Sequence, residues 1–231
     1  RQVYVTTIST AGWNDLSLGG AVIGNTFEIS NISVKELLIE EVPRNLLKYS
    51  QDFNPNNGAY STSNSPSLTY NIATAPNGTK TADGIQAEDA TNYKRINQVF
   101  TVTPNSTHTF SIFVKKETSE TNFGGIGMTY SLSSTKTTYG IINAVDGTIV
   151  DGGGTLTPTF NVQDFGTYWR FEMKSTDNAS NTLLECAYYG TLSINGTSLS
   201  TGVGSVRTIW GAQVEIGSQA TTYIPTTDRL N

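Results

Sequence analysis

With a single cysteine, Cys186, in 231 residues, no internal disulfide can form, so burial and hydrogen bonding must hold the fold together. The only histidine, His108, excludes metal sites built on His and Cys by count, and any Ser-His-Asp or Cys-His arrangement would have to use it. Charged residues make up 14% of the chain and the formal net charge is −5, which leaves no electrostatic footprint for nucleic acid or an anionic membrane. No apolar run approaches the roughly 20 residues of a membrane helix, and the opening RQVYVTTIST lacks a signal-peptide layout. The chain opens on Arg1 without a Met, which reads as a cleaved or partial polypeptide, so localisation has no address label.

What the sequence does contain is β-forming. Aromatics are 10% of the residues, glycine occurs 22 times, and Ser, Thr and Asn dominate the polar positions. Short stretches of apolar and β-branched residues recur between turn signals such as Asn56-Asn57-Gly58, Pro76-Asn77-Gly78, Asp146-Gly147 and Asn195-Gly196, whose Asn-Gly and Asp-Gly pairs supply the positive φ of tight turns. Strands are expected at 46–50, 67–73, 80–86, 93–103, 107–116, 123–131, 137–143, 156–162, 168–174, 182–189 and 206–216. With no convincing amphipathic helix between them, this spacing predicts an all-β fold, a two-sheet antiparallel β-sandwich of the jelly-roll kind. The last stretch organises the rest: Trp210, Ala212, Val214 and Ile216 alternate with Ile209, Gly211, Gln213 and Glu215, a half-buried strand with Asn45–Phe53 as its expected partner.

Residues 1–41 read as a separate short β segment. Thr26–Leu38 alternates as a strand, and Ile29–Val34 overlays Ile209–Val214 in its apolar positions, as the end of a preceding similar module would. Two unrelated strands sharing a period of two give the same pattern. The charged, Pro-containing run Glu40–Arg44 marks the boundary, and a main domain follows over 45–227.

In order, the motifs NLLKYSQDF, APNGTKTADGI, FTVTPNSTHTFSIFVKK, Tyr168-Trp169-Arg170-Phe171 and IWGAQVEIGSQATTYIPT resemble the jelly-roll, carbohydrate-binding-like module repeated in phage tail and other virion proteins, which is related to modules of secreted bacterial polysaccharide-active enzymes. The resemblance covers residues 45–227, and the closing motif is its most specific part. It implies a two-sheet sandwich serving as a binding or structural appendage. A homo-oligomer, a trimer as in phage fibres, and a place on the virion surface follow from the same resemblance. The alternative is an accessory carbohydrate-binding module of a secreted bacterial polysaccharide-degrading enzyme.

From the residues themselves, Trp169, Phe171 and Met173 should point into the core with Trp210 beside them, facing His108, Phe110, Ile112 and Val114. Cys186, amid apolar neighbours, reads as a buried thiol. No catalytic residue is assigned: carboxylates such as Glu88, Asp89, Glu172, Glu185 and Glu215 are available for glycoside hydrolysis, yet none sits in a motif that marks an acid or a nucleophile. Binding has more support, because sugar rings stack on exposed aromatics and the chain has 11 Tyr. Tyr60, Tyr70, Tyr93, Tyr130, Tyr139 and Tyr189 are expected on outward faces or turns. Tyr93, Arg95 and Asn97, with Tyr60, are the candidate carbohydrate-binding residues; ordinary cross-strand packing with a solvated Arg is the competing reading. No cofactor is expected beyond a structural calcium, suggested by related jelly rolls, for which Asp83, Glu88 and Asp89 are the local candidates. Sequons at Asn77, Asn105 and Asn195 arise from Asn turns beside Ser and Thr.

Overall fold

The computed structural model of the protein describes residues 43–228 apart from Ser198 and Thr201. The expectations for residues 1–41, including a truncated preceding module, lie outside the described residues.

The described residues form strands β1 (Ser61–Ser63), β2 (Ser67–Ala73), β3 (Ala82–Gln86), β4 (Arg95–Thr101), β5 (Thr107–Lys115), β6 (Phe123–Ser131), β7 (Lys136–Asn143), β8 (Thr148–Gly154), β9 (Thr159–Phe165), β10 (Tyr168–Thr176), β11 (Leu183–Ser193) and β12 (Arg207–Ile216), with one 3-10 turn at Pro55–Asn57. They build two six-stranded antiparallel sheets, ordered β1-β4-β11-β6-β7-β8 and β2-β3-β12-β5-β10-β9. At the centre of these lie β4-β11-β6-β7 and β3-β12-β5-β10, the interleaved strand order of a jelly roll, with β1, β8, β2 and β9 added at the edges. Among the described residues no helix is long and apolar enough to cross a membrane.

The core lies between the sheets and follows the period of two. Phe110, Ile112 and Val114 of β5 and Phe171 and Met173 of β10 face Ile126, Met128 and Tyr130 of β6 and Leu184, Cys186 and Tyr188 of β11. Each such side chain contributes about 1.5–3 kcal/mol by leaving water. Cys186 is buried as expected, and burial pushes its thiol pKa well up. His108 is also fully buried, with Nδ1 3.4 Å from the Tyr130 hydroxyl, and burial lowers its pKa.

The expectation for Trp210 needs correction. Opposite β5, the register slips between Trp210 and Gln213, and Gly211 takes φ +61°: this is a β-bulge. An extra residue reverses the side-chain alternation, so Ile209, Ala212 and Val214 point into the core while Trp210 points out. Trp169 is only partly buried at the core margin, where its Nε1 donates to the Ala144 carbonyl at 3.1 Å and the Lys116 Nζ lies 3.8 Å over its ring.

Asn45–Phe53 does lie along β12, although as bends and turns instead of a strand. Residues Arg207–Ile209 pair with β3; beyond the bulge, the same edge of β12 is taken by Leu46 N donating to Val214 O at 2.8 Å and Ala212 N donating to Ser50 O at 2.9 Å. The Asn45 side chain supplies further rungs: Oδ1 accepts from Val214 N at 3.0 Å and Leu47 N at 3.1 Å, and Nδ2 donates to Ala212 O at 2.9 Å and Ile224 O at 3.1 Å. A side-chain amide in the ladder, followed by Tyr49 at φ +49°, prevents regular strand geometry here. The closing segment joins in, with Thr226 N donating to Ser50 Oγ at 2.8 Å and Thr226 Oγ1 to Leu47 O at 2.6 Å.

Candidate functional site

In β11 the residues alternating with the core set, Glu185, Ala187 and Tyr189, face outward. They lie opposite Val99, Asn97 and Arg95 of β4. On the other side β11 pairs with β6, whose outward positions here are Gly125 and Gly127, and Gly127 in turn pairs with Tyr139 of β7. A Cβ at Gly127 would lie 3.0 Å from Tyr189 Cε2 and 3.1 Å from Tyr139 Cδ1, so the missing side chain lets two rings settle against the sheet. Tyr189 stands between two other rings, edge-on to Tyr93 (6.2 Å, 88°) and to Tyr139 (6.2 Å, 77°). Tyr93, half-buried just before β4, is held by Asn64, whose Nδ2 donates to the Tyr93 carbonyl at 2.7 Å; Asn64 itself takes φ +58° in the β1–β2 turn. The three tyrosines and Asn64, with Ser63, Arg95, Leu192 and Leu199, line a cavity of about 330 Å³ on the outer face of the sheet.

Arg95 is the charged group in its wall. Its Nη1 lies 2.5 Å from Glu185 Oε1 and donates to the Tyr189 hydroxyl at 3.0 Å; Nη2 donates to Glu185 Oε2 at 3.2 Å and Nε to Ser63 Oγ at 3.1 Å. Glu185 Oε2 also accepts from Asn97 Nδ2 at 3.1 Å. Burial alone would lower the arginine pKa, but Tyr189 and Glu185 outweigh it and raise it. Burial pushes Tyr189 up to about 12, against the lowering effect of Arg95.

Of the predicted binding residues, the structure brings Tyr93 and Arg95 into one cavity, with Asn97 on the same face behind Glu185. Tyr60 is elsewhere. It is buried in the inter-sheet core just before β1, with its ring 5.2 Å from that of Phe53. Tyr130 likewise belongs to the core, and Tyr70 is exposed on edge strand β2. Glu185 and the ring arrangement around Tyr189 were missed as site features. The period of two along β11 marked their shared face, but only the β4–β11 register brings them to Arg95.

The calcium candidates do not converge. The Asp83 carboxylate is buried and accepts from Phe53 N at 3.0 Å and Asn71 N at 2.8 Å, burial raising its pKa against those donors. Asp89 is exposed and pairs with Lys94 at 2.9 Å; hydrogen bonds from Thr91 and Lys94 hold it well below the usual carboxylate range. Among the described residues no group of three or more His, Cys, Asp or Glu is placed to hold a metal ion. Two other carboxylates serve hydrogen bonds on the β5–β12 sheet: Glu172 accepts from Gln163 Nε2 at 2.7 Å, and Glu215 from Gln213 Nε2 at 2.6 Å and Thr221 N at 2.8 Å.

No protein-family profile matches the chain, and no curated protein does. Among solved structures it is similar to the enzymatically active domain of tailspike protein 4 of bacteriophage CBA120, at 11% identity and a TM-score of 0.45 over 75% of this chain and 21% of that one. It is also similar to the CBM22-1 and GH10 modules of the Clostridium thermocellum endo-1,4-beta-D-xylanase 10B, complexed there with xylohexaose, at 11% identity and a TM-score of 0.39 over 79% of this chain and 29% of that one. The chain therefore spans less than a third of either structure it matches.

Proposed function

We propose that this chain is a non-catalytic glycan-binding module of a phage appendage, carried on the virion surface and built for attachment to a host polysaccharide. The observation that carries the reading is the cavity on the outer β4–β11 sheet, where Tyr93 and Tyr139 offer ring surface and Ser63 and Asn64 offer hydrogen-bonding groups beside the Arg95–Glu185 pair. Pyranose rings bind by laying an apolar C–H face on an aromatic ring while their hydroxyls reach planar polar groups, and this wall has both. The virion setting rests on the resemblance of the closing motif to phage tail modules. In that setting the chain assembles as a homotrimer through its edges, where Ile72 of β2, Val150 of β8 and Phe165 of β9 are exposed.

A glycan array with the wild-type chain and Tyr93→Ala tests the binding reading. The expected result is a set of retained glycans whose signal falls at least roughly tenfold in the variant while the melting temperature holds. Retention of no glycan, or a loss of binding that tracks a loss of folding, would overturn it. Incubation of each retained glycan with the protein should release no reducing ends; release would make the module an enzyme.

A further inference from the structure

We infer that the cavity takes a neutral glycan and turns acidic ones away, with Glu185 as the residue that sets this preference. This rests on the glycan-binding reading above and names its substrate class.

An arginine in the wall of a polar cavity normally reads as a clamp for a carboxylate or sulfate, because its fork of N–H groups matches those anions. Here that fork is already occupied. Glu185 sits on Nη1 and Nη2 in the two-point arrangement that an acidic ligand would adopt, the Tyr189 hydroxyl takes a further N–H of Nη1, and Ser63 takes Nε. An incoming anion would have to displace Glu185 or lie beside it. Displacement is opposed from behind, since Asn97 Nδ2 holds Glu185 Oε2 and Asn97 is itself buried between the strands. Lying beside it places two negative groups in a partly desolvated space, where repulsion is screened less than in water.

The rest of the wall adds no compensating charge. Apart from Arg95 the lining carries neutral side chains, Tyr189, Leu192 and Leu199 among them, and the charge of Arg95 is balanced by Glu185, which pairs with it without itself lining the cavity. What it offers a ligand is aromatic surface, hydroxyls and an amide. Those groups match the C–H faces and hydroxyls of neutral hexose or pentose units, and none is left to neutralise a uronate, sialate or sulfate.

Affinity electrophoresis of the wild-type chain and of Glu185→Gln tests this, with neutral polymers (xylan, mannan, β-glucan, galactan) and acidic ones (polygalacturonate, alginate, hyaluronan, a sulfated galactan). Wild type should be retarded by at least one neutral polymer and by no acidic one. Its affinity should change less than about twofold between roughly 50 mM and 500 mM salt, because no net charge is neutralised on binding. Glu185→Gln keeps the side-chain shape and frees the guanidinium, and should raise retardation by acidic polymers roughly tenfold at low salt. If the variant fails to fold, the wild-type panel and its salt dependence still decide the matter. Wild type retarded more by an acidic than by a neutral polymer, or a folded Glu185→Gln with an unchanged acidic-to-neutral ratio, overturns the inference and leaves glycan binding standing. Retardation by neither class overturns both.

Discussion

Each sheet of this sandwich carries an aromatic cluster on its outward face, and the chain covers the two to different degrees. On the β5–β12 sheet, Phe113, Trp210 and Tyr223 stack edge-on or tilted at 4.6–5.9 Å, Phe113 and Trp210 are buried, and the exposed Phe165 lies edge-on to Phe113. Tyr223 comes from the segment after β12, its hydroxyl 2.7 Å from Ser50 Oγ, while Trp210 Nε1 donates to Thr81 Oγ1 at 3.0 Å. On the β4–β11 sheet, Tyr93, Tyr139 and Tyr189 are spaced at 6.2 Å around an open cavity. Phe113 and Trp210 are buried in the first cluster; in the second Tyr189 is buried while Tyr93 and Tyr139 are half-buried in the cavity wall, where the binding proposed above would engage them. The difference teaches that outward aromatics on a sandwich can be packing as readily as binding surface, and that the exposure of each ring has to be read before a role is proposed for it.

The sharpest way to break this comparison is to remove one ring from each cluster. Trp210→Ala should cost about 3–5 kcal/mol in chemical denaturation, as deletion of a buried indole leaves a cavity, and the fraction that remains folded should still bind glycan. Alkaline titration probes both clusters in one experiment. Burial pushes Tyr189 and Tyr223 each up to about 12 from the ordinary value near 10, so each favours the fold fully below pH ~10 and loses that contribution as pH rises through about 12, on the order of 2 kcal/mol apiece. Tyr223→Phe and Tyr189→Phe should each blunt the alkaline loss of stability, and bound glycan should move the titration of Tyr189 alone.

Smaller effects sharpen the contrast. Asn45→Ala strips the amide that bridges Val214 N, Ala212 O and Ile224 O, and should destabilise by about 1–3 kcal/mol by leaving buried backbone groups unpaired, with no change in glycan affinity. Tyr93→Ala should do the reverse: affinity down roughly tenfold by calorimetry, stability within about 0.5 kcal/mol of wild type.

The sheets were legible in the sequence because apolar and β-branched stretches of strand length recur between turn signals, even though β5, β11 and β12 are buried nearly throughout instead of alternating; 123–131 is a strand over its whole predicted length as β6. Short or glycine-rich edges were not. β1 has three residues, and β8 ends in Gly152-Gly153-Gly154, which reads as a turn although its residues pair with β7. Trp210 was assigned to the wrong face because one bulge at Gly211 inverts every position after it, and periodicity carries no mark of a bulge. Tyrosines were the least readable residues. Tyr60 and Tyr130 are buried while Tyr93 lines a cavity, since an aromatic ring with a polar tip suits either environment and only the surrounding strands decide. The pairing of Arg95 with Glu185 depends on residues 90 positions apart and follows from strand register, which no local pattern contains.

The most direct test of the central claim, that the cavity cluster binds and the Trp210 cluster folds, is a titration with a neutral oligosaccharide followed by NMR of assigned aromatic ring resonances. Ring signals of Tyr93, Tyr139 and Tyr189 should shift together with ligand concentration, while those of Trp210, Phe113 and Tyr223 stay in place. Saturable shifts at Trp210 and Tyr223 with the three cavity tyrosines unmoved would contradict the account.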